Sequence, residues 1–170
     1  MQAFSREDKM KVQSADIHKG LDATIQLLNK EIGHNIIVEK NYDNSIPKIE
    51  CFPGELNQVF LNILINAIHA LKGKNGVINI TTTQSKEMIS ITISDNGMGI
   101  PSDICSRIFD PFFTTKAVGE GTGLGLSISY GIIQKHNGTI SVDSQLGQGT
   151  SFVIQLPKRQ VETISKEQEI

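Results

Sequence analysis

The seven residues Ile89-Ser90-Ile91-Thr92-Ile93-Ser94-Asp95 alternate apolar and polar without a break. In a strand, successive side chains leave to opposite sides, so this pattern gives one buried face and one wet face. The chain must then supply partner strands and a layer to cover the isoleucines, which predicts a sheet with helices packed on one side. The covering layer is legible too. Ile17, Leu21, Ile25, Leu28 and Ile32 share one side of a helix over 17–33, which Asp16 can cap and Gly33 can end. Further helices are expected over 54–71 and 124–136. Strands are expected at 35–41, 77–83 and 88–95, with a closing hairpin of 139–143 and 151–156 across Gly147-Gln148-Gly149. Residues 42–53, with two prolines, read as a loop. The sum is an α/β fold: a two-layer sandwich of a mixed five-stranded sheet and three helices, over 17–157. Residues 1–16 read as a polar lead-in or the remnant of a preceding helix, and the polar tail from Lys158 is expected to fray.

Composition narrows the partners. The 170 residues carry 16 basic and 18 acidic side chains, a net charge of -2, and no basic stripe for a nucleic-acid backbone. Aromatics make up 5% and tryptophan is absent, which removes the usual stacking platform for single strands. No apolar run reaches the roughly 18 residues of a membrane span, so no membrane contact is expected from this chain. Cys51 and Cys105 lack metal-ligand spacing and read as two reduced thiols in a cytosolic domain.

Four places carry chemistry. On the helix over 54–71, Glu55, Asn62, Asn66 and His69 fall within about 60° of one another at 100° per residue. Such a stripe can be a solvated face. Asparagine is a poor helix-interior residue, however, and an amide oxygen is a hard ligand suited to magnesium. Asp95 shares the parity of Ile89, Ile91 and Ile93 and so points toward the apolar side. It can cap the turn Asn96-Gly97, or accept a hydrogen bond from a ligand such as the amino group of adenine. Gly97 and Gly99 let backbone approach a flat ligand closely. The stretch 96–122 has little period. At that length it is a lid or binding loop, or else disordered. Within it, Phe109, Phe112 and Phe113 need burial, as core or as anchors of a lid, and Lys116 can meet a terminal phosphate. Finally, Gly119-Glu120-Gly121-Thr122-Gly123-Leu124-Gly125-Leu126 leads alternating glycines into a helix, where N–H groups can hold phosphate. It is neither a Walker loop nor a dinucleotide fingerprint, and alone it can be a flexible linker.

Taken together, these segments resemble the catalytic and ATP-binding domain of bacterial sensor histidine kinases, within the GHKL ATPase superfamily. Asn62-Ile63-Leu64-Ile65-Asn66-Ala67 is similar to the N box and Asp95-Asn96-Gly97-Met98-Gly99-Ile100 to the first Gly box. Phe109-Asp110-Pro111-Phe112-Phe113 is similar to the F box, and Gly121-Thr122-Gly123-Leu124-Gly125-Leu126 to the second Gly box. Gly147-Gln148-Gly149-Thr150 matches the closing Gly-Thr turn. The run Phe112-Phe113-Thr114-Thr115-Lys116 looks most like the nitrogen-regulator type. The resemblance implies the GHKL, or Bergerat-type, fold with ATP and Mg2+ as cofactors. It implies that Asn66 ligates magnesium, that Asn62 supports it or the phosphates, and that His69 contacts the phosphates. Asp95 would hold adenine over Gly97, Gly99 and Ile100, near Thr150. Lys116 would reach the terminal phosphate, and Gly121, Thr122, Gly123, Leu124, Gly125 and Leu126 would line the phosphate chain.

No residue of this chain is assigned as the phosphoacceptor. His18, His34, His69 and His136 are the only histidines, and none has an acidic neighbour within a two-helix hairpin. The expected partners are therefore a histidine-bearing dimerization domain, in cis or in trans, and then a response regulator receiver domain. The chain alone is expected to be a cytoplasmic monomer that binds ATP without labelling itself. Its parent is free to carry a membrane anchor elsewhere. Two other readings use the same boxes: an anti-sigma-type serine kinase or ATP-hydrolysing clamp, and a non-catalytic nucleotide-binding module.

Overall fold

A computed structural model describes residues 11–113 and 125–160. Strand β1 (Gln13–Ala15) leads into helix α1 (Ile17–Leu27), a single turn α2 (Asn29–Ile32) and β2 (Ile36–Asn41). Strand β3 (Ile49–Cys51), the long helix α3 (Pro53–Ala70), and strands β4 (Gly76–Gln84) and β5 (Met88–Asp95) follow. After a 3-10 turn at Cys105–Arg107 come α4 (Gly125–Lys135), β6 (Thr139–Gln145) and β7 (Gly149–Pro157). The main sheet has the order β2-β4-β5-β7-β6, with β2 parallel to β4 and every other pair antiparallel.

The alternation in β5 does what its parity requires. Ile89, Ile91 and Ile93 are buried, as are Ile78 and Ile80 on β4 and Ile154 and Leu156 on β7. The helices cover this face with Leu21 of α1, Leu56, Phe60, Ile63 and Leu64 of α3, and Ile133 of α4. Each such aliphatic side chain contributes about 1.5–3 kcal/mol relative to full exposure. The opposite face presents Thr81, Thr92, Ser94 and Ser151, and the Ser94 and Ser151 hydroxyls are hydrogen-bonded to each other across the ladder. The hairpin closes through Gly147 and Gly149 at φ 81° and 123°.

Four expectations are corrected. The first helix is not continuous over 17–33. Asp16 caps it as expected, accepting the His18 N–H at 2.9 Å, but the Leu28 N–H is shared between the Thr24 and Ile25 carbonyls, which tightens and ends α1. Second, the lead-in and the loop each hold a short strand: β1 and β3 pair antiparallel, Ser14 opposite Glu50, as a separate ribbon. Third, the segment from Lys158 does not fray at its start. The Lys158 N–H donates to the Glu87 carbonyl, the Glu50 N–H donates to the Lys158 carbonyl, and the Gln160 N–H donates to Glu50 Oε2 at 2.9 Å. Fourth, of the three phenylalanines expected to need burial, Phe109 and Phe113 pack against the core, whereas Phe112 is 73% exposed and sits at φ 66°.

Cys51 lies in the core, where burial pushes its thiol up to about 11, whereas Cys105 is half-buried. Since the thiolate is the reactive form, a neutral thiol reagent is expected to modify Cys105 in the native protein and Cys51 only after unfolding. Mass spectrometry of the labelled chain reads this directly, and equal native labelling would contradict the burial.

Candidate functional site

The site is assembled at the end of the sheet where β5 stops and β7 begins. Asp95 and Thr150 are opposite one another in the β5–β7 register, both on the inward face. Burial raises the Asp95 carboxyl above its ordinary value, partly offset by the backbone N–H groups of Gly97, at 2.9 Å, and Thr150. Asp95 therefore does cap its own turn. That bond uses one acceptor position of a group with about four.

The first Gly box runs from there between α3 and the β6–β7 turn. The Met98 N–H donates to the Ala70 carbonyl at the end of α3, and the Gly147 N–H donates to the Met98 carbonyl at 2.7 Å. A side chain at Gly97 would strike the Ala70 carbonyl, and one at Gly99 would strike the Gln145 carbonyl. The close approach these glycines permit is thus to the protein's own backbone, in addition to whatever they offer a ligand. Ile100 packs on the core, and its N–H donates to Ser144 Oγ at 2.7 Å. The Ser144 hydroxyl donates to the Gly149 carbonyl at 3.0 Å and meets Thr150 Oγ1 at 2.8 Å. Sequence reasoning missed Ser144, although it carries the same signal as Asp95: a polar residue at an inward strand position, after Ile140 and Val142.

The polar stripe of α3 divides in two. Asn62 is engaged by protein: its amide donates to the Gly125 carbonyl at 2.9 Å and to Ser129 Oγ at 3.1 Å, and its oxygen accepts from Gln58 at 3.0 Å. It fastens the start of α4 to α3. Glu55 pairs with Lys135 at 2.9 Å. Asn66, one turn beyond Asn62, is half-buried, and its side-chain amide has no hydrogen-bond partner among the described residues. His69 is exposed on the last turn. Leu126 packs against the core beside Gly125. Lys116, Gly121, Thr122, Gly123 and Leu124 lie outside the described residues.

Of the remaining histidines, His34 is exposed, and His18 and His136 are held by the body of the domain. His18 stacks on Tyr42 at 4.3 Å and hydrogen-bonds Thr82 Oγ1 at 2.8 Å. His136 is 1% exposed and bonded through both ring nitrogens. No helix among the described residues is long and apolar enough to cross a membrane.

A mixed sheet with helices on one face, and a carboxylate, a Gly-rich turn and a helix-borne pair of amides at one end, is the α/β sandwich of an ATPase family. Residues 53–160 match the model for histidine kinase-, DNA gyrase B- and HSP90-like ATPases, and the chain belongs to that family. It is 39% identical over 147 residues to sensor histidine kinase ZraS of Escherichia coli (strain K12), covering 86% of this chain and 31% of ZraS. It is 41% identical over 138 residues to sporulation kinase E of Bacillus subtilis (strain 168), covering 81% of this chain and 18% of the relative. The chain thus spans less than a third of the length of these curated relatives. The nucleotide-free catalytic domain of histidine kinase ThkA superposes with a TM-score of 0.79 at 32% identity, over 88% of this chain and 97% of that one. Full-length ShkA in complex with AMPPNP gives 0.77 at 26% identity, over 88% and 32%. ThkA in complex with the response regulator TrrA gives 0.73 at 29% identity, over 86% and 42%.

Proposed function

We propose that this chain is the Mg-ATP-binding catalytic domain of a two-component sensor histidine kinase, aligning the terminal phosphate for transfer to a histidine on a separate dimerization domain. The observation that carries this reading is Asp95, an inward-facing carboxylate at the mouth of the Gly box with acceptor capacity beyond its turn bond. Asp95 accepts from the adenine amino group, over a floor of Gly97, Gly99 and Ile100, with Thr150 alongside. Asn66 offers its amide oxygen to magnesium. Among the described residues no three His, Cys, Asp or Glu side chains converge to hold a metal. An ion at Asn66 would therefore take its other ligands from phosphate and water, which suits magnesium. Magnesium supplies neutralisation of phosphate charge. Asn62 fixes the start of α4, so that Gly125 and Leu126 continue the phosphate-binding run of Gly121, Thr122, Gly123 and Leu124. On this reading His69 and Lys116 contact the phosphates. Catalysis is positioning and electrostatics, as in other phosphoryl transfers.

The AMPPNP complex of ShkA supports nucleotide as ligand, and the ThkA–TrrA complex supports a response regulator as the partner downstream. The curated relatives, both kinases, favour this reading over a clamp or a non-catalytic module. The domain acts in the cytoplasm, as a monomer in isolation.

Calorimetry is expected to give Mg-ATP binding at micromolar affinity or weaker, about 5–8 kcal/mol. Asn66→Ala is expected to lose most of the gain that magnesium gives, roughly tenfold. Incubated alone with labelled ATP, the chain should form no phosphohistidine, and adding a histidine-bearing dimerization domain should produce it. Label on any of its own four histidines would overturn the missing-acceptor reading.

A further inference from the structure

Helices α3 and α4 carry the two halves of the nucleotide apparatus, Asn66 on one and the end of the second Gly box on the other. Hydrophobic packing alone allows such a pair to slide by fractions of a turn, because ridge-in-groove packing tolerates a range of crossing angles. Here two polar fasteners remove that freedom. At one end Asn62 grips Gly125 and Ser129. At the other end the chain places His136, just past α4, against Phe52, the residue that opens α3.

The protonation of His136 follows from its neighbours. The Phe52 N–H can only donate, at 3.0 Å, so Nε2 accepts. The ring proton is then on Nδ1, which faces the Ile132 carbonyl at 2.8 Å, one turn back on α4. That second bond fixes the imidazole to its own helix, and the first carries it across. Phe52 has no side-chain cap of its own at the start of α3. Its ring meets the imidazole edge-on at 5.4 Å, and Lys135 lies 4.3 Å over the same ring while pairing with Glu55 at 2.9 Å. The two fasteners are ten residues apart on α3, Phe52 to Asn62, or about 15 Å along a helix. Attachment at two points that far apart sets both the axial position and the rotation of α4.

We propose that His136 is a positioning residue for nucleotide binding: as the Nδ1–H tautomer it sets the register of α4 against α3, and so the spacing between Asn66 and Gly125 and Leu126 at the start of α4. This rests on the ATP-binding reading above. Binding sites need their groups held to about half an ångström, so release of one fastener should be felt at the other end of the pair.

The test uses the whole chain with two substitutions. His136→Phe fills the volume but leaves the Phe52 N–H buried without an acceptor. His136→Gln restores an acceptor near the Nε2 position. By calorimetry, His136→Phe is expected to weaken Mg-ATP binding about fivefold or more, with His136→Gln within about twofold of wild type. Hydrogen exchange at residues 125–129 should rise in the Phe variant and return toward wild type in the Gln variant. If His136→Phe lacks a cooperative unfolding transition, His136→Asn, too short to reach Phe52, replaces it. A folded Phe or Asn variant with wild-type affinity and wild-type exchange at 125–129 overturns the proposal. So does a Gln variant as impaired as Phe. Should wild type itself fail to bind ATP, the functional reading falls, and the exchange arm alone decides the register.

Discussion

Asp95→Asn is expected to weaken Mg-ATP binding by about 1–3 kcal/mol, roughly 5- to 150-fold, while leaving the unliganded domain at least as stable at neutral pH. The two effects have opposite signs for one reason. The amide oxygen can still accept the Gly97 N–H that Asp95 accepts now, so the turn survives. The amide nitrogen, however, presents donors where the adenine amino group also donates. Stability moves the other way because burial raises the Asp95 carboxyl in the folded state. A carboxyl that holds its proton more tightly when folded adds most to stability below its unfolded value, near 3.8. That contribution is lost as pH rises through the higher folded value. Asparagine has no such loss. Denaturant unfolding from pH 3.5 to 7 should therefore show the Asp95→Asn curve gaining on wild type as pH rises, alongside the loss in calorimetric affinity. A variant that binds as tightly as wild type would remove Asp95 from the adenine site.

Gly99→Ala is expected to destabilise the domain by about 2–4 kcal/mol in the absence of any nucleotide. Gly99 has φ 74°, a region side-chain-bearing residues rarely enter, and its missing Cβ would meet the Gln145 carbonyl. The strain falls on the bridge that joins the Gly box to the β6–β7 hairpin, where the Gly147 N–H meets the Met98 carbonyl and the Ile100 N–H meets Ser144. Thermal unfolding without ligand reads the cost. If Gly99→Ala unfolds with wild type and loses only nucleotide affinity, the glycine serves the ligand and not the fold.

That contrast marks what could be read from the chain before its structure. Period is local, and it delivered β5 with its bounds at 88–95, the long helix α3 and the parity of Asp95. The β1–β3 ribbon could not be read this way. Three residues have no period, and Ser14 and Glu50 define each other only by pairing. The break at Leu28 was hidden because the apolar stripe continues across it: Leu28 and Ile32 are both buried although the backbone has changed course. At the site, residue types pointed to Asp95, Asn66 and the glycines, but not to their partners. Asn62 read as a support for magnesium or the phosphates, and its amide donates to Gly125 and Ser129, more than sixty residues on. His136 stood out in the sequence only as a histidine without the setting of a phosphoacceptor. That it spans from the end of α4 to Phe52, the residue just before α3, required the tertiary fold.

The ribbon and the segment that closes it also decide how this domain responds to being pulled. Strand β1 pairs with one edge of β3, and Lys158 to Gln160 bond to the other through Glu50. The backbone therefore arrives and departs on either side of a single three-residue strand, about 10 Å apart at ordinary strand spacing. Tension applied between these two points first loads a handful of hydrogen bonds around Glu50, with the bond from the Lys158 N–H to the Glu87 carbonyl next in line before the ladders of the five-stranded sheet. Under traction the domain should peel at this seam first, with β5 and its neighbours still intact.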